Sequence, residues 1–230
     1  MEHKILDGAQ TLTFERSGTV LETPAYYFTD FSPKDQIDAA NYLAAAAKRE
    51  NKFLAYELGY GTSLSPLDCA GAGENRVVLA FDTQGQFPGG LKDGSEAIKL
   101  PSQESGSLAA FFKLDIRDLI KSNNYVKADL VYSIVPFPNL VSEMLKAGLQ
   151  LSDDVYVVPN PLRAIETPAD EMVKTVSPKH VGELLRLTKQ EIEVALGTSK
   201  SSYLITEAPD EKIPVIHAHL PQQSVTQGMV

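Results

Sequence analysis

Acidic residues and glycines follow apolar runs of this sequence at points where they could hold a polar ligand. Glu57 lies at the end of a run that begins at Phe53, and Gly59 and Gly61 follow it closely. Glycine lets the backbone turn sharply and lie against a ligand, because it has no Cβ to block either. Asp82 ends a second apolar run, 25 residues after Glu57. A carboxylate at that point could accept hydrogen bonds from both hydroxyls of a ribose.

Two further apolar runs carry polar groups in the same way. Asp115 follows the third run, and residues 128–136 form a fourth run that contains Tyr132 and Ser133. Four runs, each with a polar group or glycine near its carboxyl end, are typical of one side of a doubly wound nucleotide-binding sheet.

The elements that would position these residues alternate along the chain. Residues 11–28 predict a hairpin. Ser32 followed by Pro33 predicts a helix start, because serine suits the N-cap and proline the first helical position. Strands then alternate with helices. The predicted helices include a short one over residues 64–73 and one over 139–148, which Gly148 would end. Two last strands form a closing hairpin.

This order divides the chain into an N-terminal hairpin arm over residues 1–31, one domain over 32–221 and a tail over 222–230 that we expect to be mobile. Residues 83–107 lack periodicity, so they are either a functional loop or disordered. The aromatic segment Pro24–Phe31 either roofs a binding cleft or packs the hairpin onto the core.

Taken together, these segments resemble the Rossmann-like (class I) S-adenosylmethionine-dependent methyltransferases. In that family an acidic-x-Gly-x-Gly-x-Gly segment follows the first strand, and residues 57–63 match it except that Ser63 stands where the third glycine is usual. Residues 114–119 resemble the family's segment after strand three, and residues 128–133 its fourth strand. The resemblance covers residues 35–220 and depends on the order and spacing of the segments.

The resemblance implies an α/β fold with a doubly wound, mostly parallel seven-stranded sheet in the order 3-2-1-4-5-7-6. Only the last strand would be antiparallel, and helices would cover both faces. It also implies an enzyme that binds S-adenosylmethionine across the carboxyl ends of strands one, two and three.

By the same resemblance, six residues would bind the cofactor: Glu57, Gly59, Gly61, Asp82, Asp115 and Ile116. The glycines would let the backbone approach the ribose and the methionine moiety, and Glu57 would hold the amino end. Asp82 would accept from the ribose hydroxyls. Asp115 would accept from the adenine amino group while Ile116 packs on the ring.

Methyl transfer requires the protein to align acceptor, methyl and sulfur and to exclude water. The end of strand four would form the floor of that site, with Tyr132 or Ser133 orienting the acceptor. The Asn/Asp-Pro-Pro-Tyr pattern of base-amino methylators is absent, because residues 133–136 read Ser-Ile-Val-Pro. We therefore expect a small-molecule acceptor, which no motif identifies.

Three other functions remain open at this stage. An NAD-dependent oxidoreductase on a related sheet would need glycine where Leu64 stands. A methyltransferase-like partner-binding subunit without catalysis is favoured by Ser63 and by the irregular residues 83–107. The third alternative transfers another group, such as an aminopropyl group, from the same cofactor.

Composition limits the remaining possibilities. A chain of 230 residues with 43% hydrophobic content suits one domain with a buried core. The net charge of −9 argues against nonspecific nucleic-acid binding, because phosphate backbones attract basic patches. The single cysteine, Cys69, excludes an internal disulfide. No signal-peptide or membrane-spanning pattern is present, so we expect a cytoplasmic protein without a membrane partner, and an oligomer is possible.

Two histidines alternate on the last predicted strand. His217 and His219 therefore share one face of it. Such a pair can bind a metal ion, but the sequence offers no evident third ligand. The prediction is therefore two surface histidines and no metal site.

Overall fold

The computed structural model describes residues 10–16, 19–61, 63, 65–85, 106–135, 140–159, 186, 189–195, 202–207 and 214–219. The predicted helix near 168–175, most of the one over 178–196, most of loop 83–107 and the predicted tail lie outside these residues. Within the predicted 178–196 helix, residues 189–195 are helical and Ile192 is buried.

Strands and helices alternate through the described part of the chain. The strands are β1 (Gln10–Arg16), β2 (Thr19–Tyr27), β3 (Phe53–Leu58), β4 (Arg76–Asp82), β5 (Leu108–Lys113), β6 (Leu130–Val135), β7 (Asp154–Pro159), β8 (Ser202–Glu207) and β9 (Pro214–His219). The helices are α1 (Pro33–Arg49), α2 (Ser65–Gly71), α3 (Ile116–Lys121) and α4 (Val141–Leu151).

The nine strands among the described residues belong to one sheet, in the order β1-β2-β5-β4-β3-β6-β7-β9-β8. From β2 to β7 across the sheet, neighbouring strands are parallel. Strand β9 is antiparallel to both of its neighbours. Numbered from β3 onward, the strands follow the order 3-2-1-4-5-7-6 with an antiparallel last strand, so the predicted doubly wound α/β sheet is confirmed.

The N-terminal hairpin adds two strands to this sheet. Strands β1 and β2 pair antiparallel, and β2 pairs in parallel with β5, with Tyr26 opposite Ala110. The alternating pattern of residues 11–28 predicts a hairpin correctly, but it carries no information about which strand the hairpin joins.

Two hydrophobic cores lie on the two faces of the sheet. The α1-side core contains residues of α1, α3 and α4, such as Leu43, Leu119 and Leu145. The α2-side core contains Leu67 and Ala70 of α2. The helices therefore cover both faces, as the resemblance implies.

Aromatic stacking fixes the hairpin to both cores. Tyr27 stacks on Phe111 in the α2-side core, with ring centroids 5.0 Å apart. Phe28 stacks on Phe112 in the α1-side core, at 4.9 Å. Tyr26 also packs against the α1-side core. Of the two roles expected for this segment, these contacts correspond to packing of the hairpin.

Helix α1 begins as the sequence predicts. The Ser32 hydroxyl accepts a hydrogen bond from the backbone N–H of Asp35, and Pro33 occupies the first turn. Capping of this kind satisfies a backbone donor that has no partner within the helix. The helix buries one stripe of alanines and Leu43 against β3, β4 and β5.

The predicted stop of the next long helix is wrong. Helix α4 continues through Gly148 to Leu151 and ends at Ser152. A Cβ on Gly148 would lie 2.7 Å from Cγ1 of Val155, so the glycine allows the helix to approach β7 closely. Glycine serves close packing here and not helix termination.

No helix among the described residues is long and apolar enough to cross a membrane.

Candidate functional site

A cleft of about 800 Å³ opens where β3, β4 and β5 end. Five of the six residues predicted to bind a cofactor line it: Gly59, Gly61, Asp82, Asp115 and Ile116. The cleft lies beside the boundary between β3 and β6, where the strand order reverses. Open α/β sheets bind ligands at such a switch point, outside the carboxyl ends of the strands.

The backbone after β3 forms a turn that glycine alone adopts easily. Gly59 has φ +71° and Gly61 has φ +55°. The N–H of Gly59 donates to the carbonyl of Phe81 at 2.8 Å, which ties the turn to β4. A Cβ built on either glycine meets no protein atom within 4 Å. Both glycines line the cleft, so their open sides leave room for a ligand against the backbone.

Asp82 connects this turn to the end of β4. One carboxylate oxygen accepts from the N–H of Gly61 at 3.0 Å, and the other accepts from the N–H of Gln84 at 2.7 Å. A carboxylate offers about four acceptor positions. These two bonds therefore orient the group and leave acceptor capacity for the hydroxyls of a bound sugar.

Glu57 lies fully buried beneath the turn and does not line the cleft. Its Oε1 accepts from the Ser65 hydroxyl at 2.6 Å, and the Ser63 and Ser65 hydroxyl oxygens are also 2.6 Å apart. The N–H of Ser65 donates to the Ser63 hydroxyl at 3.1 Å. Ser63, which stands in place of the usual third glycine, thus organises the start of α2. Glu57 therefore does not line the cleft and affects it indirectly, by supporting the turn.

Asp115 caps helix α3 at the rim of the cleft. Its carboxylate accepts from the backbone N–H of Arg117 at 2.9 Å and from the Arg117 guanidinium at 2.6 Å. These hydrogen bonds hold the pKa of the Asp115 carboxyl below its usual range. The carboxylate is therefore ionised at neutral pH and acts as an acceptor. Ile116 follows it in the same wall.

Ser133, one of the two predicted catalytic residues, does not line the cleft. Its hydroxyl is buried and donates to the Leu58 carbonyl at 2.6 Å. Leu58 immediately precedes the glycine turn, so this bond supports the turn from the neighbouring strand.

Tyr132, the other predicted catalytic residue, packs against the α2-side core. Its hydroxyl lies 3.4 Å from the Ser65 carbonyl. Burial and the nearby Glu57 carboxylate raise the pKa of Tyr132 well above its usual value. The phenol is therefore protonated at neutral pH and serves as a donor, not as a base.

An extension of the cleft between α3 and α4 was not predicted. Its apolar wall comes from Ile120, Leu140, Met144 and Ala147, with Lys121 and Lys146 among the lining residues. The apolar face of the helix over 139–148 is visible in the sequence, but its packing opposite α3 depends on the fold.

No protein-family model and no curated protein matches the sequence. Several solved methyltransferase structures are similar in fold. A mutant 16S rRNA (adenine(1408)-N(1))-methyltransferase from Catenulisporales acidiphilia with cosubstrate SAM is 12% identical, with a TM-score of 0.47 over 93% of this chain and 100% of that chain. The aminoglycoside resistance methyltransferase NpmB1 is 15% identical, with a TM-score of 0.42 over 92% and 100%. An O-methyltransferase from Bacillus cereus in complex with SAH is 13% identical, with a TM-score of 0.39 over 84% and 83%.

At identities of 12–15% and TM-scores of 0.39–0.47 these likenesses carry no argument about the site. The assignment of the fold depends on the strand order, the strand directions and the register described above.

Proposed function

We propose that the chain is a Rossmann-like methyltransferase that binds S-adenosylmethionine in this cleft. One observation carries the proposal. Five residues selected by the order and spacing of sequence segments, from Gly59 to Ile116, line a single cleft at the ends of three adjacent parallel strands. Chance agreement would scatter such residues over the sheet.

Each chemical part of the cofactor has a partner of suitable type. Asp82, oriented by Gly61 and Gln84, accepts from the ribose hydroxyls. The adenine ring packs on Ile116, and its amino group donates to Asp115. The methionine end lies over the glycine turn, whose open side has space for it. Glu57 supports that turn from below.

The cofactor supplies an activated methyl group, and the chain binds, orients and shields it. Tyr132 and Ser133 contribute as positioning residues, because their hydroxyls bond to backbone carbonyls around the glycine turn. The acceptor is a small molecule, since the net charge of −9 disfavours a nucleic-acid chain.

Calorimetric titration of the purified protein with S-adenosylmethionine, S-adenosylhomocysteine, methylthioadenosine and NAD tests this function. We expect the first two to bind with one site per chain and NAD to give no heat of binding. Preference for S-adenosylhomocysteine over methylthioadenosine separates methyl transfer from aminopropyl transfer, because these are the respective products. Binding of NAD alone would indicate the oxidoreductase, and binding of none of the four would leave the partner-binding subunit.

The Asp82→Asn variant tests the ribose contact. Loss of the charged acceptor should weaken S-adenosylhomocysteine binding by about 1–3 kcal/mol, or roughly 5- to 150-fold. The matched control is Asp153→Asn, which removes an exposed carboxylate that pairs with Lys127 at 2.9 Å, and neither residue lines the cleft. Equal affinities of the two variants would contradict the assignment of Asp82.

A further inference from the structure

Three side chains capable of binding a metal ion lie close together on β7 and β9, at the end of the sheet where β7 begins. Asp154, His217 and His219 each offer one ligand atom, and these atoms lie within 4.8 Å of one another. His217 Nε2 hydrogen-bonds to Asp154 Oδ1. His219 Nδ1 lies 4.0 Å from the same oxygen. Two imidazoles therefore approach a single carboxylate oxygen.

The register of β7 and β9 brings these residues together. Asp154 is opposite His219, and Tyr156 is opposite His217. Alternate residues of a strand share a face, so these four side chains project from the same face of the sheet. Val155 and Ala218, which alternate with them, are buried in the α1-side core.

This end of the sheet is opposite the end at which the proposed cofactor cleft lies. Asp154 begins β7 and His219 ends the antiparallel β9, whereas the cleft lies where β3, β4 and β5 end. The three residues therefore form a site that is independent of the proposed methyl transfer.

We propose that Asp154, His217 and His219 bind a divalent transition-metal ion of the zinc type, with solvent completing the coordination. Two imidazole nitrogens and one carboxylate oxygen are a ligand set that zinc accepts. Zinc-to-ligand distances of about 2.0–2.1 Å place tetrahedral ligands about 3.3 Å apart. The ligand atoms lie within 4.8 Å of one another, and side-chain rotations can bring them to this spacing because the three side chains are 32–42% exposed.

A simple surface hydrogen bond is the competing explanation, and two features favour a metal site. A hydrogen bond to Asp154 needs only one imidazole, yet both imidazoles approach the same oxygen. Tyr156 also stacks on His217 with ring centroids 4.2 Å apart and an interplanar angle of 7°, which fixes the ring orientation. Fixed ligand orientation is what metal sites require.

Zinc titration of the untagged 230-residue chain after chelator treatment tests this proposal. We expect one zinc ion per chain and, at saturating zinc, a rise in Tm of about 5 °C or more. Cobalt in the same site should give visible absorption bands that are characteristic of low-coordinate Co²⁺.

The sequence-based prediction of no metal site left out Asp154, which lies 63 residues before His217 in the chain.

The His219→Gln and Asp154→Asn variants should each bind zinc at least tenfold more weakly and lose most of the Tm shift. The matched control is His3→Gln, which removes a histidine far away in sequence and should bind as the parent does. The proposal is overturned if the parent binds no zinc at submillimolar concentration. It is equally overturned if the His217→Gln/His219→Gln double variant binds zinc as the parent does. Circular dichroism of every variant establishes that the fold is retained.

Discussion

At the scale of single residues, the middle of β6 illustrates how neighbouring side chains on a strand take opposite directions. Tyr132 packs on the α2-side core, and Ser133 turns its hydroxyl to the Leu58 carbonyl. The sequence placed both hydroxyls in this strand, but it did not reveal that neither of them lines the cleft, whereas Val135 at the end of the strand does. The direction of each side chain depends on the pairing of β6 with β3.

Ser133→Ala should therefore reduce stability more than ligand binding. Removing a buried hydroxyl that donates to a buried carbonyl costs about 1–3 kcal/mol of unfolding free energy. S-adenosylhomocysteine affinity should stay within a few fold. Urea unfolding and calorimetry measure the two effects. The control is Ser122→Ala. The exposed Ser122 also donates to a carbonyl, that of Leu119 at 2.6 Å, and loss of its hydroxyl should reduce the unfolding free energy less. A Ser133 variant with unchanged stability but no transferase activity would instead support contact with the acceptor.

Asp115 gives a pH-dependent prediction. Hydrogen bonds from Arg117 lower the folded-state pKa of its carboxyl below the unfolded value of about 3.9. Its ionised form therefore stabilises the fold above that pH, and the contribution disappears as the pH falls through the lowered pKa. Asp115→Asn keeps a capping acceptor and loses the charge. Its urea midpoint should lie slightly below that of the parent at pH 7, and the difference should shrink as the pH falls below the unfolded pKa of about 3.9. A difference that stays constant as the pH is lowered through this range would contradict this explanation.

At the scale of elements, the turn between β3 and α2 combines predictable and unpredictable features. The roles of Gly59 and Gly61 could be predicted from the sequence. Both residues have positive φ, and glycine is the residue that adopts positive φ most easily. Ser63 departs from the glycine pattern of the methyltransferases that the sequence resembles, and that pattern alone does not predict a role for it. Its bond network with Ser65 and Glu57 exists only when β3 and α2 are folded against each other.

Two glycine-to-alanine variants should separate these roles of glycine. Gly59→Ala forces a left-handed backbone that costs about 1–2 kcal/mol, and its Cβ projects into cleft space that a ligand would fill. Gly148→Ala places a Cβ 2.7 Å from Val155. Overpacking of this kind costs about 1–3 kcal/mol, offset in part by better helix propensity. Both variants should unfold at lower temperature, but only Gly59→Ala should lose S-adenosylhomocysteine binding. Retained affinity in Gly59→Ala would place the ligand elsewhere.

At the scale of the whole molecule, the central sheet was predictable and its width was not. The bounds of β3, β4, β8 and β9 follow directly from apolar and β-branched runs bounded by turn residues. The pairing of β2 with β5, like the convergence of Asp154 with the two histidines, joins residues far apart in sequence. Local patterns cannot specify such partners, because every edge strand offers the same backbone groups.

The predicted boundary between residues 1–31 and 32–221 can be tested through Phe28. This ring is fully buried and stacks on Phe112, and truncation of a buried phenylalanine costs about 3–5 kcal/mol. Phe28→Ala should therefore lower the melting temperature of the entire chain in one cooperative transition, which calorimetry records. The control is Phe53→Ala, since Phe53 is 37% exposed at the start of β3 and should cost less. Separate melting of the hairpin, with the main transition unchanged, would establish an independent arm.

The pairing of β2 with β5 also affects synthesis on the ribosome. The partner of Tyr26 is Ala110, which is translated 84 residues later. At about 5–20 residues per second, β2 waits roughly 4–17 s before its neighbour exists. During that time the aromatic residues that end the hairpin have no rings to stack on. During this interval the nascent chain carries an unpaired strand edge, and such an edge is open to pairing with other chains.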